Sequence, residues 1–133
     1  MNGLLLDTHA WVWLLESPKR IPRRTLGAIG RVQEDLVFVS GITLWEIAKL
    51  CSSGKLRLSN SPRDWICNAI ERSSATVLPI TPEIAAESCQ LPGGFHADPA
   101  DQMIVATARV HGLDIVTADA RIQDYPHVRS LWA

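Results

Sequence analysis

The apolar positions along the chain predict short buried strands that alternate with helices. Four apolar runs have the length and the β-branched or aliphatic character of strands, and they cover residues 4–7, 36–40, 75–80 and 114–119. A fifth, weaker run covers 127–132. Stretches with helical spacing lie between these runs. Strands that are apolar on both faces and alternate with helices are typical of a parallel sheet that is covered on both sides.

Capping residues mark where three of the helices begin. Ser61, Thr81 and Asp98 each stand directly before a proline, a combination that favours an N-cap followed by the first helical position. Gly112 follows the last helical stretch and is a natural helix end. We therefore predict an α/β fold, a three-layer α/β/α arrangement with a central, mainly parallel sheet of four to five strands.

Length and composition limit the classes of protein that remain. The chain has 133 residues, no internal repeat and no linker-like tract, which favours a single domain over residues 1–133. Its formal charge of −1 gives no sign of a globally basic surface. The three cysteines have no paired spacing, which fits reduced thiols and a cytoplasmic location. No apolar run reaches the roughly 18 residues of a membrane span, so we expect no membrane association.

Four acidic residues fall near one edge of the predicted sheet. Asp7 ends the first strand, Glu46 lies early in the helix after the second, and Asp119 lies just past the fourth. Ligands of open parallel sheets bind beyond the carboxyl ends of the strands. Asp101 is in the first turn of a helix of opposite direction, but it reaches the same edge if the loop 91–98 brings the chain there. The sequence thus predicts a gathering of four carboxylates.

Each acid also has a purely structural interpretation. Asp98 would cap the helix that begins at the next residue, and Asp101 would lie near the positive end of that helix's dipole. Glu46 could pair with Lys49 one helical turn on. Asp7 and Asp119 could be turn residues. None of these interpretations explains why apolar strands deliver several acids to the same side of a sheet.

Four sequence motifs carry a resemblance to a known family. The stretches "LLLDTHAWVW", "VSGITLWEIA", "HADPADQMIVATA" and "IVTAD" resemble the acidic motifs of PIN-domain ribonucleases, and in particular of the VapC-like toxins of toxin–antitoxin pairs. The resemblance runs from about residue 3 to residue 132, with the motifs in the family's order. It implies that the catalytic and metal-binding residues are Asp7, Glu46, Asp101 and Asp119.

The resemblance also assigns supporting positions and one departure. Thr8 and Thr117 match hydroxyls that support the acids, and Asp98 matches an acid beside the site. Gln102 stands where this branch often has an arginine. The resemblance therefore does not extend to a cationic RNA contact at that position.

Clustered carboxylates limit the chemistry. A like-charged pair at 4 Å costs about 1 kcal/mol in water and about 4 kcal/mol at an effective dielectric constant of 20, so such a site needs cations or raised pKa values. Oxygen ligands without histidine or thiolate suit Mg²⁺ or Mn²⁺. We therefore expect a metal-dependent endoribonuclease, a hydrolase of RNA phosphodiester bonds.

Two other function classes remain open at this point. One is a catalytically inactive PIN-like domain with a binding or structural role, although all four acids are present. The other is a phosphotransfer domain, which the sequence Asp7-Thr8-His9 disfavours because acid phosphatases of that kind carry a second aspartate in place of the histidine. The family resemblance further implies an RNA substrate, a cognate antitoxin protein that blocks the acids, and a homodimer.

Histidines and tryptophans near the acids have simpler interpretations than substrate binding. We expect His9 and His96 to tie down loops. The tryptophans on predicted helices lie among aliphatic residues, which favours the core or a subunit interface over base stacking; these are Trp11, Trp13, Trp45 and Trp65.

Overall fold

Five parallel strands form the central sheet of the computed structural model, which describes residues 2–133. The strands run in the spatial order β3-β2-β1-β4-β5, and every neighbouring pair is parallel. The first strand thus lies in the middle, between the second and the fourth. The strands are β1 (Leu4–Leu6), β2 (Val37–Ser40), β3 (Thr76–Leu78), β4 (Asp114–Val116) and β5 (Ser130–Leu131).

Helices connect the strands and cover the sheet. In the described residues they are α1 (Thr8–Glu16), α2 (Arg23–Arg31), α3 (Gly41–Ser52), α4 (Pro62–Ser73), α5 (Pro82–Ser88), α6 (Pro99–His111) and α7 (Ala120–Gln123). Two single 3₁₀ turns, Pro18–Arg20 and Glu34–Leu36, flank α2. No helix among residues 2–133 has both the length and the apolar character that a membrane crossing requires.

The central strand β1 divides the apolar core into two parts. All three of its leucines are fully buried. Leu4 and Leu6 pack in a cluster with Trp11, whereas Leu5 packs in a second cluster with Ile104. Because successive side chains of a strand point to opposite faces, the two clusters lie on the two faces of the sheet. The predicted three-layer α/β/α architecture with a parallel sheet is therefore confirmed.

The predicted helix caps are confirmed. The side chains of Ser61, Thr81 and Asp98 each accept a hydrogen bond from the backbone N–H three residues on. Gly112 ends α6 with a φ of 68°, a left-handed conformation that glycine adopts without the steric cost of a Cβ atom.

Several predicted boundaries are too long. The fourth strand ends at Val116, and not at residue 119. The short helix α7, which the apolar pattern does not predict, begins at Ala120. Asp119 is the N-cap of that helix, and its carboxylate accepts from the backbone N–H of Arg121 at 2.8 Å. The fifth strand is limited to Ser130–Leu131. A side-chain cap at Asp119 therefore begins a helix where the apolar run predicted the end of a strand.

The tryptophans separate into buried and exposed positions. Trp11 and Trp65 are buried and pack edge to face, with ring centroids 5.7 Å apart. Trp13 is half-buried against the same cluster. Trp45 is 51% exposed, so it does not lie in the core, and the other predicted place, a subunit interface, stays a prediction for this residue. Lys49 lies over its ring at 5.9 Å.

Candidate metal and active site

Asp7 is fixed at the carboxyl end of β1 by bonds from three directions. Its backbone N–H donates to the carbonyl of Val116 at 3.0 Å, which extends the pairing of β1 with β4. One carboxylate oxygen accepts from the backbone N–H of Thr8 at 2.8 Å and caps α1. The other accepts from the hydroxyl of Thr117 at 2.7 Å. Asp7 is 3% exposed, so the carboxylate is both buried and well oriented.

Glu46 reaches the same place from α3. The hydroxyl of Thr8 donates to its carboxylate and lies 3.0 Å from the hydroxyl of Thr43. Burial raises the pKa of Glu46; the Thr8 hydrogen bond opposes the shift, and the charges of Asp7 and Asp98 add to it. Thr8 therefore positions Glu46 so that its carboxylate faces the other acids. In the described residues Glu46 does not form the surface ion pair with Lys49 that its structural interpretation suggests.

The loop 91–98 carries the N-terminus of α6 to this edge of the sheet. A carboxylate oxygen of Asp98 accepts from the backbone N–H of Asp101 at 2.9 Å, as an N-cap does. Oxygen atoms of Glu46, Asp98 and Asp101 lie within 4.8 Å of one another. A second group with the same spacing joins His96, Asp101 and Asp119. Asp101 belongs to both groups and is the centre of the cluster.

Asp101 has the most perturbed carboxyl group of the cluster. Its pKa is raised to about 8, first by burial and then by the charges of the surrounding acids Asp7, Asp98, Asp119 and Glu46. A carboxyl group in this position holds a proton at neutral pH unless another cation replaces it. Such a set of oxygen donors suits a hard divalent cation.

Arg121 changes the electrostatics at Asp119. One guanidinium nitrogen, Nη2, lies 3.2 Å from an oxygen of Asp119 and 3.6 Å from an oxygen of Asp101. Burial by itself would raise the pKa of Asp119, but the hydrogen bonds and the charge of Arg121 outweigh burial and hold that pKa below its ordinary value. The mutual repulsion predicted for the acids is thus concentrated on Asp101 and Glu46, and Asp119 escapes it.

The sequence reasoning did not identify Arg121 as a residue of the site. A usable signal was present, because a basic residue stands two positions after an acid that begins a short helix. The prediction of a continuous strand through residue 119 concealed that helix, and with it the direction in which the Arg121 side chain extends.

The histidines tie down loops, and one of them also joins the cluster. His9 Nε2 accepts from the backbone N–H of Ala118 at 2.8 Å, which fastens the β4–α7 connection to α1. The ring nitrogen Nδ1 of His96 accepts from the backbone N–H of Asp98 at 3.4 Å, and the side chain of Gln102 donates to the backbone carbonyl of His96 at 3.0 Å. Both bonds hold the loop before α6. His96 Nε2 lies 3.0 Å from a carboxylate oxygen of Asp101. We therefore add His96 to the acids predicted from the sequence.

The cluster lies in a cleft of about 260 Å³. The lining combines acids, a few apolar side chains and two permanent cations, Lys55 and Arg121. The acids are Asp7, Glu46, Asp98, Asp101 and Asp119, and the apolar side chains are Val12, Trp13, Leu50 and Leu56. The cleft therefore has an acidic part, with groups of side chains spaced to hold a metal ion, and an apolar part beside it.

Comparison with known proteins gives consistent results. The sequence profile of the PIN domain matches residues 4–128. The chain is 33% identical over 129 residues to Ribonuclease VapC22 of Mycobacterium tuberculosis, a similarity that covers 97% of this chain and 96% of that protein. Its fold is similar to a chain of the DNA-bound VapBC complex from Salmonella typhimurium, with a TM-score of 0.72, 22% identity and 98% of both chains covered. It is also similar to a chain of VapBC2 from Rickettsia felis bound to a promoter DNA fragment, with a TM-score of 0.70, 14% identity and 98% of both chains covered.

Proposed function

The chain belongs to the PIN-domain family, and we propose that it is a metal-dependent endoribonuclease that acts as the toxin of a toxin–antitoxin pair. The relative named as a ribonuclease supports RNA as the substrate class. The observation that carries the proposal is the position of Asp101, which shares close groups of possible ligand atoms with acids from α3 and from the segment after β4. A surface acid of a binding domain would not need burial among four other carboxylates.

Mg²⁺ or Mn²⁺ is the cofactor that these residues fit. The donors are carboxylate oxygens, and burial together with the charges of the neighbouring acids raises the pKa of Asp101, as expected of a carboxylate cluster that a cation would stabilise. Asp7, Glu46, Asp101 and Asp119 would hold the ion. When bound, such an ion polarises a phosphodiester and lowers the pKa of a water molecule.

The residues of the chain itself orient this site. The hydroxyls of Thr8 and Thr117 fix the carboxylates of Glu46 and Asp7. Asp98 holds the first turn of α6 in place, so that Asp101 faces the cleft. The protein thus contributes positions and charges to a hydrolysis that needs no side-chain nucleophile. Retention of all these groups in one cleft disfavours an inactive PIN-like domain.

The partners we propose follow from the same charges. An RNA phosphate would be drawn to the ion held by the acids. A cognate antitoxin protein would block the cleft with a cationic side chain directed at Asp101, the acid whose pKa is raised most by its surroundings. We also propose a cytoplasmic homodimer, for which the exposed Trp45 offers an apolar surface residue.

An RNA cleavage assay with matched variants tests the proposal. Wild-type protein should cleave RNA in Mn²⁺ and lose cleavage in EDTA. Asp101→Asn should be inactive, whereas Asp114→Asn should remain active, because Asp114 pairs with Arg129 at the start of β4 and does not line the cleft. Equal cleavage with and without EDTA, or an Asp101→Asn variant as active as wild type, would contradict the function.

A further inference from the structure

Arg121 occupies the position of a counter-ion over the acids. Its guanidinium contacts both oxygens of Asp119, with Nε 3.3 Å from Oδ1 and Nη2 3.2 Å from Oδ2, and it also approaches Asp101 at 3.6 Å. Nη1 lies 3.4 Å from the ring nitrogen Nδ1 of His96. Among the described residues, His96, Asp101 and Asp119 form one of the two groups that are spaced to hold a metal ion. The guanidinium and a metal ion on this group would therefore compete for the same carboxylates.

The arrangement allows the side chain of Arg121 to leave. That side chain is 61% exposed, so among residues 2–133 rotation toward solvent breaks only the contacts to the acids and to His96. A divalent ion on Asp101 and Asp119 would repel the guanidinium, and it would replace the charge that the guanidinium supplies to them. Binding of one cation thus favours release of the other.

A released Arg121 remains at the rim of the cleft as a donor for phosphate. A guanidinium binds a phosphate through two parallel hydrogen bonds and keeps its charge at any pH of interest. The position after Asp101 cannot supply this contact, because Gln102 is neutral and its amide is bonded to the carbonyl of His96. Lys55 also lines the cleft, but as a point charge it lacks the paired donor geometry.

We propose that Arg121 exchanges partners: it pairs with Asp119 and lies beside Asp101 in the metal-free protein, and it positions an RNA phosphate once a metal ion has taken the acids. This inference rests on the proposed function for its second half only. Arg121 is a phosphate-positioning residue in this scheme, and the acids remain the metal-binding residues.

A Mn²⁺ titration without RNA tests the first half of the exchange. Free Mn²⁺ is followed by its electron paramagnetic resonance signal. Arg121→Gln should bind Mn²⁺ about tenfold more tightly than wild type, because a competing charge is gone. Arg121→Lys should lie between the two. Arg129→Gln is the matched control and should equal wild type, because Arg129 pairs with Asp114 outside the cleft. Mn²⁺ affinity of Arg121→Gln equal to or below that of wild type would overturn the exchange.

RNA cleavage kinetics at saturating Mn²⁺ test the second half. Arg121→Gln should raise KM for RNA about tenfold with a smaller change in kcat, since ground-state phosphate binding is lost. The dependence of log KM on log salt should become shallower by about 0.7, the value of one phosphate contact to a single strand. Arg121→Lys should recover part of the affinity, and Arg129→Gln should match wild type. Unchanged KM and salt dependence in Arg121→Gln would overturn the phosphate contact.

The two experiments separate this inference from the proposed function. A wild-type protein that fails to cleave RNA in Mn²⁺ contradicts the function and the phosphate contact together. The Mn²⁺ titration uses no RNA, so it still decides whether Arg121 and the ion exclude one another. Thermal unfolding, monitored by circular dichroism, establishes that each variant is folded before either measurement.

Discussion

The hydroxyl of Thr117 donates a 2.7 Å hydrogen bond to the carboxylate of Asp7, although the two residues stand 110 positions apart in the chain. The same hydroxyl oxygen accepts from the backbone N–H of Asp119 at 3.0 Å. Thr117 has no exposed surface. A single buried hydroxyl therefore fixes the relative positions of an acid after β1 and an acid after β4.

Thr117→Val should lower both stability and activity. Valine keeps the shape but leaves the carboxylate of Asp7 and the N–H of Asp119 without this partner, which costs about 1–3 kcal/mol of the free energy of unfolding. Misplaced acids should reduce kcat/KM by about tenfold or more. Urea unfolding and RNA cleavage measure the two effects.

Thr107→Val is the matched control for this prediction. Thr107 is also buried, but its hydroxyl donates to the carbonyl of Met103 within α6. Its loss should cost less stability and leave cleavage unchanged. Equal activity losses in the two variants would show that Thr117 does not act through the acids.

Asp98 and Asp101 should respond differently to the same substitution. Asp98→Asn keeps the helix start, because asparagine caps nearly as well as aspartate, and it should retain most of the activity. Asp101→Asn removes the central carboxylate and should lower kcat by orders of magnitude. Both variants are measured in one RNA cleavage assay at saturating Mn²⁺. Comparable losses would mean that Asp98 also holds the ion. This is the specific alternative because the carboxylate of Asp98 lies beside those of Glu46 and Asp101.

The metal-free protein should become less stable as the pH rises from about 4 to about 8. The pKa of Asp101 is 3.8 ordinarily and about 8 in the folded chain, so the folded chain retains a proton that the unfolded chain has released. Stability falls with pH wherever the native state binds more protons. The raised pKa of Glu46 acts in the same direction.

Urea unfolding in EDTA at several pH values between about 5 and 9 measures this dependence. Asp101→Asn should flatten it, because asparagine cannot ionise. Saturating Mn²⁺ should oppose it in the wild type, since metal ions bind the deprotonated form. A wild-type stability that rises with pH over this range in EDTA would contradict the raised pKa of Asp101.

Asp119→Asn should destabilise the metal-free protein at alkaline pH, whereas Asp101→Asn should stabilise it. Arg121 holds the pKa of Asp119 below its ordinary value, so the ionised carboxylate supports the fold above that ordinary value and ceases to do so only in acid. Ionised Asp101 is repelled by its neighbours. Urea unfolding of wild type and both variants in EDTA at about pH 9 shows whether each substitution raises or lowers the free energy of unfolding. A stabilised Asp119→Asn would show that repulsion exceeds the pairing with Arg121.

The sequence predicted the elements whose signals are local. The β1 run of leucines, the caps before prolines and the helical end at Gly112 all follow from residues within a few positions of one another. The order of the acids along a parallel sheet then placed Asp7 and Asp119 at one edge. These parts of the fold are fixed by backbone conformation and by apolar periodicity, which a single sequence contains.

The sequence did not predict the short helix α7 or the side-chain contacts that connect distant parts of the chain. The helix α7 has four residues and no apolar periodicity, and Asp119 caps it by accepting from the N–H of Arg121. The direction of the Arg121 guanidinium and the approach of His96 to Asp101 depend on side-chain orientation in the assembled cleft. Only the three-dimensional structure therefore shows which acid has its pKa raised by burial and by the neighbouring charges.

The position of β1 in the middle of the sheet constrains the order of events during synthesis. The ribosome makes β1 first, but β1 completes its pairing only when residues 114–116 of β4 have emerged. Pairing over such sequence distances is slow compared with local folding. Asp101 and Asp119 also follow Asp7 by more than half of the chain. A growing chain therefore cannot bring these acids together until the domain is nearly finished, and the proposed nuclease activity would begin only then.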